Sequence, residues 1–199
     1  MHREPEGYLD PGNYCAVTEF HDERNYARGL IRLLSTLQSI RDNKNRKSYV
    51  KHYISKHECL PLWVASKCMT FGTLATFYEY QQRAAKTRAC ISLAKALGES
   101  SIRMKHLTYA FRTLPGFRNI CAHSERFYCA GVGKNGEKHF PELLRALSYV
   151  TLPGDLDDLV NSPLKFLAEV GSKEPELKAK ILEGMHTTEE ELQRFVINQ

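Results

Sequence analysis

The stretch RNYARGLIRLLSTLQSIR, Arg24 to Arg41, decides the fold class. Leu30, Leu33, Leu34, Leu37 and Ile40 recur at i, i+3, i+4 and i+7 spacing, which lines one side of a helix of 3.6 residues per turn. The same period continues outward from it. Tyr49, Val50, Tyr53 and Ile54 mark a second helix that ends near His57. Pro61 stands where a helix can begin. Trp63, Ala65, Met69, Leu74, Phe77 and Tyr78 continue an apolar face from it, with a break or kink at Thr70–Thr73. A helix from about Ala84 to Leu97 turns Ile91, Ala94 and Leu97 inward and stops at Gly98. Ser100 or Ser101 caps the next, which carries Ile102, Leu107, Ala110, Phe111 and Leu114. Pro115-Gly116 punctuates it, and Phe117 to Tyr128 resumes the helix. Gly131–Gly136 is a loop, and Pro141 to Val150 is helical. Short helices follow near Asp155–Val170, Glu174–Glu183 and Thr188–Ile197, the last opened by the capping box Thr188-x-x-Glu191. No alternating run of strand length competes. The expected class is all-α, a helix bundle with additional short C-terminal helices.

Composition and charge narrow the function. Of 199 residues, 42% are apolar and 26% charged, which excludes collagen-like and low-complexity chains. The longest uncharged apolar run, Leu60 to Ala65, stops at Lys67, well short of the roughly 20 residues of a membrane span. The N-terminus has no apolar signal region. Six scattered cysteines without a C-x-x-C pair suit free thiols in a reducing cytoplasm. The chain is therefore expected to be soluble and cytoplasmic, with no membrane partner. From Asp155 on, 5 basic residues face 10 acidic ones, which leaves 23 basic and 13 acidic in residues 1–154. A cationic helical domain over residues 1–154 thus carries an acidic helical extension over residues 155–199, packed on or near it. A cationic body suits a polyanion, nucleic acid first. The run Arg41, Lys44, Arg46, Lys47 and Lys51 is the candidate grip on an RNA backbone; a solvated helix connection explains it equally well.

Chemistry concentrates in FRNICAHSERFY, Phe117 to Tyr128. Continued as a helix, it places Asn119, His123 and Arg126 at i, i+4 and i+7 on one stripe, with Arg118 at its start. An imidazole can serve as general base or acid near neutrality. Guanidinium groups hold a phosphate and stabilise charge developing on it. That pairing, without a carboxylate cluster, fits metal-free RNA cleavage; a surface histidine beside two arginines is the plain alternative. Other groupings carry less. His52, His57 and Cys59 lack a fourth ligand at metal-site spacing. Gly131–Gly136 lacks the order of a phosphate-binding loop. Trp63 and Phe71 fall on helical apolar faces and are expected in the core.

Arg118-Asn119-Ile120-Cys121-Ala122-His123 resembles the R-x4-H motif of HEPN-domain ribonucleases. The words around it are similar to the Abi family of abortive-infection proteins, the AbiD/AbiF-like group. They are Tyr8-Leu9-Asp10-Pro11, His52-Tyr53, Leu60 to Val64, Phe71-Gly72-Thr73-Leu74 and Arg118 to Tyr128, in that order. Two departures stand beside them: the chain starts where relatives carry further upstream helices, and Cys129 replaces a frequent asparagine.

The resemblance implies a HEPN-like bundle and a ribonuclease of the abortive-infection or toxin–antitoxin kind that uses no cofactor or metal. It implies a homodimer whose two motifs share a cleft, with Arg118, Asn119, His123 and Arg126 as catalytic residues. RNA is the implied substrate, and an antitoxin, protein or RNA, the implied regulator. A non-catalytic module that binds RNA or a protein is the alternative, and a purely structural helical subunit a third.

Overall fold

The computed structural model describes residues 5–43, 47–123 and 125–197. Among them the regular elements are helices: α1 (Glu23–Asp42), α2 (Ser48–His57), α3 (Leu62–Ala65), α4 (Phe71–Glu79), α5 (Arg83–Leu97), α6 (Met104–Ala122), α7 (Phe140–Ser148), α8 (Pro153–Lys173), α9 (Pro175–Gly184) and α10 (Glu189–Ile197). Extended pairing among them is confined to the isolated bridges Tyr14–Gln81 and Val132–Lys138. The chain is all-α. It forms two compact units, Met1–Arg88 and Ala89–Gln199, divided within α5.

In the first unit α1 buries Leu30, Leu33 and Leu37, the face that its period predicts. They meet Val50 of α2, Val64 and Ala65 of α3, and Leu60. Tyrosine hydroxyls tie the N-terminal segment down: Tyr8 donates to the Leu60 carbonyl at 2.9 Å, Tyr14 to the Tyr8 carbonyl, Tyr26 to the Cys15 carbonyl. Tyr80 closes the set on the Tyr26 carbonyl at 3.2 Å. Its hydroxyl sits where a Cβ on Gly29 would be, 2.0 Å from that position, so α1 needs a glycine there. Thr70 caps α4, which places the expected break between α3 and α4.

The second unit is built on α6. Phe117 and Ile120 are buried with Val132, Phe140, Leu143 and Leu144, and with Leu156, Val160, Leu167, Met185 and Leu192 from α8 to α10. Burying each such side chain contributes roughly 1.5–3 kcal/mol. The segment after Asp155 is therefore core material for α6. Thr188 caps α10 as its capping box predicts, its Oγ1 accepting from the Glu191 N–H at 3.2 Å.

Four expectations are corrected. Pro115-Gly116 does not break α6, which runs through both. Pro115 supplies no N–H to its helix, while Lys138 Nζ donates to the Arg112 carbonyl at 3.2 Å and to Thr113 Oγ1 at 3.0 Å just before it. Gly116 serves close approach: a Cβ there would lie 2.9 Å from Val132 Cβ. Arg103, not Ser100 or Ser101, is the N-cap of α6. On α5 Ala94 is buried as expected and Leu97 half-buried, but Ile91 is exposed and Cys90 takes the other inward position. Trp63 is 55% exposed rather than core, because Val64 and Ala65 take the inward positions of the one-turn α3; Phe71 is half-buried.

Candidate functional site

The last turn of α6 positions the R-x4-H segment. Phe117 and Ile120 anchor it inward, which turns Arg118 and Asn119 to solvent. The helix stops at Ala122 with His123 as C-cap, φ −100° and ψ 8°. The His123 N–H still reaches the Asn119 carbonyl at 3.0 Å, and the Glu125 N–H donates to the Ile120 carbonyl at 3.2 Å. That span is the long bond of a Schellman closure, which satisfies carbonyls that a helix end leaves open. The expected stripe is thus corrected: Arg118, Asn119 and His123 share the end of α6, whereas Arg126 follows on the non-helical segment after it. All four side chains are exposed.

That segment is held from within. The Phe127 ring packs edge-on against Phe117, centroids 5.9 Å apart, and against Phe140 at 6.1 Å. Tyr128, 44% exposed, lies against the end of α9 at Gly184. Phe127 and Tyr128 line an apolar groove of about 890 Å³ together with Leu159, Phe166, Leu177 and Met185. Sequence reading missed this groove, since its lining comes from segments roughly 30 to 60 residues apart in the chain.

The residues of the candidate RNA grip have different surroundings where they are described. Arg41 is engaged: its Nε donates to Glu6 Oε1 at 2.6 Å and its Nη1 to Asp42 Oδ1 at 3.1 Å. Glu6 Oε1 also accepts from the Leu60 N–H at 2.8 Å, so Arg41 secures the N-terminal segment. Lys47 and Lys51 are exposed at the start of α2, and Lys44 and Arg46 lie outside the described residues. His52 and His57 flank the Tyr53 ring. Among the described residues no group of three His, Cys, Asp or Glu is placed to hold a metal ion. No helix among them is long and apolar enough to cross a membrane.

The model of the family described as Abi-like protein matches residues 1–129. The chain belongs to the Abi-like family. The matched part of this Abi-like chain runs through Arg118, Asn119, His123 and Arg126, and ends before the helices that complete the core around α6. Comparison with curated proteins and with solved structures gives no match.

Proposed function

We propose that this Abi-like protein is a HEPN-type endoribonuclease that acts in abortive infection, cleaving RNA through its own 2′-hydroxyl. The observation that carries the reading is the juxtaposition of Arg118, Asn119 and His123 at the exposed end of a helix whose inner face is fixed by Phe117 and Ile120. A site on a rigid element holds its groups in place for a reaction that depends on positioning.

In the reaction, one His123 takes the proton of a ribose 2′-hydroxyl, whose oxygen attacks the adjacent phosphorus. Arg118 offsets the charge that develops on the phosphoryl oxygens, and Arg126 assists from the segment after the helix. A second protonated imidazole gives its proton to the departing 5′-oxygen, leaving a cyclic phosphate and a 5′-hydroxyl. Each chain has one R-x4-H histidine, so two copies supply the acid and the base. The apolar groove beside Phe127 and Tyr128, with Phe166 54% exposed, offers the second copy a surface to bury.

The test is cleavage of RNA by purified protein in excess EDTA, beside His123→Ala and Arg118→Ala. Cleavage should persist with chelator and vanish in both variants, since proton transfer contributes roughly 10²–10⁴-fold and charge stabilisation about 10²–10³-fold. DNA, and RNA methylated at the 2′-oxygen, should resist. Equal cutting of DNA, or activity that returns only with Mg²⁺, sinks the mechanism. RNA binding without cleavage would assign the protein instead to the non-catalytic modules.

A further inference from the structure

We propose that Trp63 is a base-stacking platform for single-stranded RNA, built on α2 and α3 in the first unit and made of Trp63, Tyr53, His57 and Lys67. Trp63 is more than half exposed, and Leu62 beside it is 39% exposed, yet their backbone is immobilised by Val64 and Ala65, 1% and 0% exposed. Held out on a one-turn helix, Trp63 leaves more than half of its area exposed, whereas tryptophan is ordinarily well buried. Its neighbours are aromatic and cationic. Tyr53 meets Trp63 edge to face with centroids 5.1 Å apart, and His57 lies 5.2 Å from Tyr53. Lys67 Nζ stands 5.5 Å from the Trp63 ring centroid.

Charge selects the ligand. From Lys47 to Thr70 the chain carries Lys47, Lys51, Lys56 and Lys67 against Glu58 alone, with His52 and His57 besides. An exposed ring with the Lys67 ammonium beside it, and further exposed lysines on α2, suits a strand that presents bases and phosphates alternately. Stacking supplies sequence-tolerant affinity and the lysines follow the backbone. The inference shares its RNA ligand with the function proposed above but uses none of that site's residues.

Trp63 is the chain's single tryptophan, so its fluorescence reports on this site alone. The probe is a 2′-O-methyl oligouridine of about ten nucleotides, within the range one such surface covers and resistant to cleavage. Saturable quenching that weakens with salt is expected. By anisotropy of the labelled probe, Trp63→Ala should bind roughly 5- to 100-fold more weakly, Trp63→Phe should recover part of the loss, and Lys67→Ala should reduce the salt slope. Helical circular dichroism of each variant controls for folding. No quenching, or Trp63→Ala binding unchanged, overturns the platform. So does quenching by vesicles of anionic lipid with none by the oligonucleotide. Quenching in a protein that cleaves no RNA keeps this inference and rejects the nuclease; cleavage without quenching does the reverse.

Discussion

The rings of Phe117 and Phe127 meet edge to face, 5.9 Å apart, across the turn that carries His123. Phe117 is 2% exposed and belongs to the core, so it fixes where the chain goes after α6 has ended. Phe127→Ala should then cost about 1–3 kcal/mol, less than a fully buried phenylalanine. It should also lower kcat more than it raises KM for RNA, because His123 loses its fixed place while the cationic surfaces stay. Urea denaturation and steady-state kinetics separate the two effects. Unchanged kinetics with the stability loss would show that the turn is set by α6 alone.

Gly116 gives the second prediction. A methyl group there would lie 2.9 Å from Val132 Cβ and 3.1 Å from its Cγ1, closer than side chains settle. Gly116→Ala should destabilise the second unit by about 1–3 kcal/mol despite the better helix propensity of alanine. The paired change Gly116→Ala with Val132→Ala should recover part of the loss. Thermal melts of the single and double variants decide it.

Removing residues 155–199 should unfold the second unit rather than unmask a basic surface. Leu156, Val160, Leu167, Met185 and Leu192 are each at most 4% exposed and pack with Phe117 and Ile120. Tryptic digestion should cut the truncated protein within α6, where the intact protein resists. The acidic segment's electrostatic effect on RNA binding is better probed by replacing the exposed Glu174 and Glu176 with glutamine, which should leave the fold intact and affinity unchanged or raised.

Alkali should loosen the first unit. Burial, with Glu6 nearby, pushes the Tyr8 phenol up to about 12 from 10.0. The folded state thus favours the neutral phenol. That preference is complete below pH 10 and is lost as the pH rises through about 12. Tyr8→Phe should flatten this dependence, and at neutral pH it should cost about 1–2 kcal/mol, since the Leu60 carbonyl loses its donor. Urea midpoints across that window, for both proteins, give the answer.

How far the sequence could be read depends on whether a feature is local. The period of α1, the αL stop at Gly98 and the Thr188–Glu191 box are set by neighbours within a few residues, and the structure has all three. Pro115-Gly116 misled because its local meaning, a break, is outweighed by contacts with Lys138 and Val132, which lie 23 and 16 residues on. Tertiary context overrides propensity in this way. The end of α6 was hidden because nothing between Ala122 and Phe127 is glycine or proline; the ring of Phe127 turning back to Phe117 decides it. Trp63 was misplaced because hydrophobic pattern does not say which two sides of a one-turn helix face out.

The packing of α6 against α8 and α10 also orders events in time. A nascent chain that has emerged through Tyr128 already contains Arg118, Asn119, His123 and Arg126, but none of the partners that bury Phe117 and Ile120 from α7 onward. Most of a helix's stability in a protein comes from the packing of its apolar face. The ribosome that makes this protein would therefore carry the whole motif past its exit while the motif has no shape. A latent period is built into synthesis, and it closes only when Leu192 finds its place.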